Sequence, residues 1–243
     1  MPTGPASPQP QQTQLQRQFS NIFLNKLKNG VTVDALNDLL KEAYGFFAGA
    51  CEDIYKKTPE MGRPDCAINC DHCCHQFSFQ VTAPEICFVV DHLTHALNAD
   101  ELVGLKKRVD DFVTKRAALF GVQRENYKPP CPLLSNSSCM VYAVRPFVCQ
   151  GFNSFDKNAC LKKRFEPELD PDIPVHGGQV DLARGMAGGL RDALIAMKHD
   201  VTVLDFIAAL HIALNNENAC AEWLAGGNPF ADAEFSRIVD VSD

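Results

Sequence analysis

The sequence predicts a mainly α, single-domain protein in which helices flank a loop-rich, cysteine-rich core. Apolar residues repeat at helical spacing through most of the chain, and helix start and stop signals frame those stretches. Two intervening segments, residues 66–79 and 131–160, lack this periodicity and hold eight of the 11 cysteines. The 243 residues are 46% hydrophobic, and no long linker divides them. We therefore expect one domain over residues 15–243, with the cysteine segment at 66–164.

The N-terminal half begins with a Pro- and Gln-rich stretch, residues 1–14, which we expect to be a disordered tail. Residues 15–27 carry one apolar stripe, and Gly30 follows as a stop signal. A second helix is predicted from Thr32 to a point before Pro59.

Two further helices are predicted from capping boxes. Thr82 with Glu85 starts a helix to about residue 97, and Asn98 with Glu101 starts another to about residue 120. Both stretches continue with apolar residues at helical spacing.

The C-terminal part predicts helices over residues 181–198 and 203–215 and a short one around Trp223. Within the first of these, Gly185, Gly188 and Gly189 indicate close packing against another helix. Their spacing matches neither dinucleotide-binding nor P-loop motifs.

Charge and hydropathy exclude several classes of function. The formal net charge of -7 argues against binding to nucleic acid or to anionic membranes, which select basic faces. The most apolar stretch, residues 201–214, is too short to span a bilayer. With no secretion signal at the N-terminus, we expect a cytoplasmic protein. In a reducing cytosol, clustered cysteines more often bind metal than form structural disulfides.

The cysteine spacing predicts metal binding. Cys70 and Cys73, separated by two residues, can turn both sulfurs toward one ion, whereas adjacent Cys73 and Cys74 are awkward as two ligands of one tetrahedral ion. Eight thiolates fill two four-ligand sites, of zinc or of iron-sulfur type, with the adjacent pair joining them. The predicted metal ligands are Cys66, Cys70, Cys73, Cys74, Cys131, Cys139, Cys149 and Cys160.

Two alternatives to this ligand set stay open, and so does the role of Arg145. Shells that include His72 or His75 are one, and eight reduced or disulfide-bonded cysteines without metal are another. Arg145 is compatible with hydrogen bonds to thiolate sulfur, with an anionic substrate, or with a salt bridge. The cysteines outside the two segments lie in helical patterns, which indicates packing residues: Cys51, Cys87 and Cys220.

The same residues resemble a known family, the CxxCxxCC cysteine-cluster family, also called YkgJ-type. The resemblance rests on the first four cysteines, on the residues 131–134 (CPLL) and 139–142 (CMVY), and on Arg145-Pro146, Cys149 and Cys160. It departs from the family pattern in the gap between Cys66 and Cys70 and at Gln150. The resemblance implies a zinc- or iron-chelating domain and leaves any activity undetermined.

Two functions follow as hypotheses. The first is a metal-binding module that holds zinc or iron, with metal ions as its partners. The second is an iron-sulfur enzyme, either a redox protein or a protein-modifying enzyme similar to lysine methylases, with the reaction near His72, His75 or Arg145. The sequence identifies no catalytic residue, since it contains neither a nucleophile elbow nor a metalloprotease motif.

Overall fold

A computed structural model describes residues 13–66, 69–75, 79–119, 123 and 127–235, and within them the fold is mainly α, as predicted. Residues 1–12 of the predicted tail lie outside these residues. The longer helices are α1 (Gln14–Leu27), α2 (Val33–Lys57), α3 (Ala83–Ala96), α4 (Ala99–Ala117), α7 (Gly177–Ala196) and α8 (Phe206–Asn215). The shorter helices are α5 (Phe147–Gly151), α6 (Lys157–Phe165) and α9 (Ala219–Leu224).

The strands are only two residues long and form two antiparallel pairs. β1 (Gln80–Val81) pairs with β4 (Leu204–Asp205), and β2 (Leu134–Ser135) pairs with β3 (Ser138–Cys139). The first pair fixes the start of α3 beside the start of α8, and the second forms a hairpin within the cysteine-rich segment.

Helices α1 and α7 pack closely because α7 presents glycines to α1. A Cβ atom on Gly189 would lie 2.5 Å from the Cβ atom of Phe19 and 2.9 Å from the backbone nitrogen of Ser20. Gly185 and Gly188 face Leu15 and Gln16 in the same way. The predicted role of these glycines in helix packing is confirmed.

A buried ion pair links α4 to the β1–β4 pair. Arg116 Nη1 donates to Asp205 Oδ2 over 2.7 Å, and the Asp205 side chain is fully buried. The other carboxylate oxygen accepts from the backbone N–H of Ala208 and so caps α8. One carboxylate thus joins three elements, and an apolar core surrounds it.

The predicted helix starts agree best with the structure where a capping box marks them. Thr82 with Glu85 begins α3, and Asn98 with Glu101 begins α4. Residue 120, the predicted end of α4, lies outside the described residues, and the described helix ends at Ala117. Helix α7 begins at Gly177, four residues before its predicted start, whereas α8 begins three residues late because residues 204–205 are in a strand.

One cysteine prediction is wrong. Cys87 on α3 and Cys220 on α9 form a disulfide, although their positions in helical patterns indicated packing residues. They are 133 residues apart, so their proximity depends on the packing of α3 against α9 and not on local sequence. Cys51 is a buried free thiol, as expected.

Within the described residues, none of the helices is both long and apolar enough to cross a membrane.

Candidate metal centre

Several elements bring the cysteines of the two segments together. A single 3₁₀ turn, His72–His75, carries Cys73 and Cys74. Cys131 is tied directly to this turn, since its backbone N–H donates to the carbonyl of Cys74 over 2.8 Å. Cys139 ends the β2–β3 hairpin, and Cys149 lies on α5.

The hairpin that carries Cys139 is closed by a tight turn. Asn136 and Ser137 both have positive φ, 50° and 60°, as the two central residues of a type I′ turn require. Asn tolerates this conformation better than most residues because its side chain can bond locally. Ser138 Oγ donates to Asn69 Oδ1, which fixes the hairpin beside the loop that leads to Cys70.

Helix α5 is positioned by a buried carboxylate from α3. Glu85 Oε1 accepts from the backbone N–H of Phe147 over 3.0 Å, and Oε2 accepts from the N–H and hydroxyl of Thr82. Burial raises the pKa of Glu85, and these three donors oppose that effect. Glu85, which takes part in the capping box of α3, therefore also holds α5, the helix that bears Cys149.

Six of the eight predicted ligands line one small cavity. Its volume is about 40 Å³, far below the roughly 300–1,000 Å³ that is typical of pockets for organic ligands. Phe79, Phe152 and Phe206 contribute apolar walls. The cysteines that line this thiol cavity are Cys70, Cys73, Cys74, Cys131, Cys139 and Cys149.

The pKa values of the adjacent residues Cys73 and Cys74 are shifted in opposite directions. The Cys74 thiol donates a hydrogen bond to the Cys73 sulfur, and this bond, with help from the positive charge of Arg145, lowers the pKa of Cys73 to about 7. The same hydrogen bond, together with burial, raises the pKa of Cys74 far above its usual value. Cys73 is therefore the thiol most readily ionised in the cavity.

Three other cavity cysteines have raised pKa values. Burial raises the pKa of Cys131 to about 12, and burial also raises the pKa values of Cys139 and Cys149. Their thiols are neutral at pH 7 unless a cation compensates the charge of the thiolate.

Arg145 is the cation nearest to this cavity. Its guanidinium lies 3.9 Å from the centre of the Tyr142 ring, and it lines the cavity beside the thiols. Its Nε atom is buried and has no hydrogen-bond partner among the described residues. An unpaired buried donor next to a set of thiols favours a group with negative charge in the cavity.

Cys66 and Cys160 lie outside the cavity, in contact with Ser154. Burial raises the pKa values of both thiols, and hydrogen bonding to Ser154, through its backbone for Cys66 and its side chain for Cys160, opposes that rise. Cys66 is exposed and Cys160 is half-buried on α6. The structure thus separates two of the eight predicted ligands from the other six.

The two histidines of the turn face Asp71 instead of the cavity. His75 Nε2 lies 3.3 Å from Asp71 Oδ2, and His72 Nδ1 lies 3.8 Å from Oδ1. Arg164 on α6 donates to the same carboxylate over 3.1 Å. Burial opposes ionisation of Asp71, but the hydrogen bond with His75 and the charge of Arg164 lower its pKa overall. This carboxylate joins the turn to α6.

Within the described residues, no three His, Cys, Asp or Glu side chains are arranged as a ready metal shell. The thiols line the cavity without surrounding a common point. The chemistry of the donors nevertheless fits a soft metal, since thiolate is the preferred ligand of zinc and of iron-sulfur clusters.

Comparison with known proteins gives no match. The chain matches no protein-family model, no curated protein and no solved structure. Its function is therefore argued from the site alone.

A second, larger cavity lies on the other side of α5. Its volume is about 480 Å³, and Val148, Gly151 and Ala183 form part of its apolar wall. Phe152 lines both cavities. Sequence reasoning missed this cavity because it lies between α5 and α7, which are distant in sequence.

Sequence reasoning also missed three residues that position the site. Glu85, Asp71 and Ser154 each hold a cysteine-bearing element. Glu85 stood out as a capping-box residue and within the stretch that resembles the cysteine-cluster family, but neither signal indicated its contact with α5.

Proposed function

We propose that this protein binds a thiophilic metal, zinc or iron, through the cysteines of the thiol cavity, as the CxxCxxCC cysteine-cluster pattern implies. The observation that carries the proposal is that six cysteines from distant parts of the chain line one cavity of about 40 Å³. Such a cavity suits an ion or a compact inorganic group better than an organic ligand.

Four of the cavity cysteines are candidates for the ligands of one metal ion. Cys74, Cys131, Cys139 and Cys149 come from the turn, the hairpin segment and α5, and desolvation raises the pKa of each of the last three. Deprotonating these thiols without a cation is unfavourable, and a bound metal supplies that charge.

Arg145 fits the same proposal. Four thiolates around a divalent ion leave a net negative charge, which the Arg145 guanidinium beside the cavity offsets. Replacing Arg145 by Gln removes that charge and should reduce the fraction of chains that retain metal. Arg145→Lys keeps the charge and should retain more metal than Arg145→Gln.

Elemental analysis of protein purified without oxygen tests the proposal. We expect zinc or iron in stoichiometric amount, and a large loss of it in Cys149→Ser, because Ser is a poor ligand for soft metals. Cys51→Ser is the control, since Cys51 is a free thiol that lies outside the cavity. Equal metal content in Cys149→Ser and the parent protein would contradict the proposal.

Metal removal provides a second readout. Binding free energy of structural zinc is on the order of 10 kcal/mol in peptide systems and appears as folding free energy. Chelation should therefore increase protease cleavage within residues 131–160, which have little helix of their own. Unchanged cleavage after complete removal of metal would oppose a structural role.

A second candidate, an iron-sulfur enzyme or redox protein, is favoured by the larger cavity. A volume of about 480 Å³ is adequate for a small organic molecule, and Phe152 lines both this cavity and the thiol cavity. A brown protein with acid-labile sulfide, whose visible absorption bleaches on reduction, supports this candidate. A colourless zinc protein contradicts it.

A further inference from the structure

The larger cavity lies between α5 and a stripe of small and apolar side chains on α7. Val180, Ala183 and Ala187 follow one another at helical spacing on α7, and all three line the cavity. Gly151 on α5 makes a close approach to this stripe, since a Cβ atom there would lie 2.7 Å from the Cβ atom of Ala183. The two helices therefore meet at this point, and the cavity of about 480 Å³ lies alongside their contact.

The buried polar side chains of the cavity wall already have hydrogen-bond partners within the protein. Asn153 Nδ2 donates to the carbonyl of Gly151 over 3.0 Å, and Asn153 Oδ1 accepts from the backbone N–H of His176 over 2.6 Å. The carboxylate of Glu85 accepts three hydrogen bonds, one of them from α5. Neither side chain presents a free donor to a ligand. The inner part of the cavity therefore suits an apolar group, because a polar group buried there would lack a partner.

Arg184 supplies a positive charge at the rim of the cavity. It lies on α7 within the lining stripe, and it is exposed. Its side chain has no ion pair or hydrogen bond in the part of the chain that the structure describes. Among the described residues that line the cavity, none of the others is Lys, Arg or His. A guanidinium presents two parallel donors that match the two oxygens of a carboxylate.

We propose that this cavity binds a small monocarboxylate with an apolar body, whose carboxylate pairs with Arg184 while the body packs between α5 and α7. The volume lies within the range of roughly 300–1,000 Å³ that is typical of pockets for small molecules. A carboxylate placed deep in the cavity would meet Glu85 and no free donor, so charge orients the ligand with its body inward.

This site does not depend on the proposed metal. Among the described residues that line the larger cavity there is no cysteine, and its contacts come from α5, α7 and the residues beside them. The inference therefore goes beyond the proposed function and applies whether the thiols bind zinc or iron.

Isothermal titration calorimetry of the full chain with octanoate tests the inference. The probes 1-octanol and octylammonium have the same chain length, and they replace the negative charge by a neutral and by a positive group. We expect one octanoate per chain, bound about fivefold more tightly than 1-octanol, which is the effect of one exposed ion pair. Octylammonium should bind most weakly, because Arg184 repels it.

Two substitutions locate the ligand. Arg184→Gln should weaken octanoate binding about fivefold and leave 1-octanol binding unchanged. Ala187→Phe fills the cavity and should abolish binding of both probes. Arg191→Gln is the matched control, because Arg191 is another exposed arginine on α7 that does not line the cavity. It should bind octanoate as the parent does.

Several results would overturn the inference. They are no octanoate binding to the parent, undiminished binding to Ala187→Phe, and octanoate binding that Arg184→Gln leaves unchanged. NMR of the unsubstituted protein guards against misfolded variants. Nuclear Overhauser effects from octanoate to the methyl groups of Val148 and Val180 support the site, and effects confined to other methyl groups overturn it. Metal content is measured separately, so this inference and the proposed function can fail independently.

Discussion

Replacing Gly189 by Ala tests the packing of α1 against α7. The added Cβ atom would meet Phe19 at 2.5 Å and backbone atoms of α1 at 2.9 and 3.0 Å. Ordinary contacts of a Cβ atom lie at 3.4–4 Å, so the two helices must separate by about 1 Å. Backbone atoms cannot rotate away as the end of a side chain can.

The expected change in unfolding free energy is the difference between the cost of overpacking and the gain in helix propensity. Overpacking of this kind costs about 1–3 kcal/mol, and contact with backbone places Gly189 near the upper end. Alanine in place of glycine within a helix gains about 1 kcal/mol. The net loss of unfolding free energy should be about 2 kcal/mol, which for a chain of this size lowers Tm by about 4–8 °C.

Urea unfolding followed by circular dichroism measures this loss. Gly49→Ala is the matched control, because Gly49 lies within α2 and a methyl group added there would meet no atom within 4 Å.

The control should gain up to about 1 kcal/mol from helix propensity alone. The two substitutions therefore have opposite signs although the chemical change is identical. Equal or greater stability of Gly189→Ala than of the parent would refute the close approach of α1 and α7.

Three other substitutions have expected outcomes. Asp205→Ala leaves the Arg116 guanidinium buried without its carboxylate, and urea unfolding should show a loss of about 3–5 kcal/mol. Cys220→Ala frees its partner Cys87, so thiol titration of the denatured, metal-free protein should give ten reactive groups instead of nine, with a stability loss of about 2–5 kcal/mol. Thr82→Ala removes the hydroxyl bound to the capping carboxylate of α3 and should lower unfolding free energy by about 1 kcal/mol.

Local sequence signals predict the helices well. Capping boxes place the starts of α3 and α4 to the residue, because the signal and the structure involve the same four positions. The start of α8 was predicted too early because Asp205, its cap, is first paired in a strand with Gln80. No local pattern reports that pairing, since its partner lies 125 residues away.

The candidate site is predictable in composition but not in arrangement. Cysteine spacing identifies the eight candidate ligands, yet it does not separate Cys66 and Cys160 from the rest. That separation depends on how the turn, the hairpin and α5 pack around the cavity, which brings together segments far apart in sequence. The short helix α5 was missed because five residues are too few for a periodic pattern.

The disulfide has a topological consequence for the candidate site. The covalent loop closed by Cys87 and Cys220 contains the four cysteines of residues 131–160, whereas the four cysteines of residues 66–74 lie outside it. Any group held by thiols of both segments would therefore connect the N-terminal arm to a closed ring. A single protease cut between Cys87 and Cys220 would leave the two pieces covalently joined, so that they separate only after the disulfide is reduced and the protein is denatured.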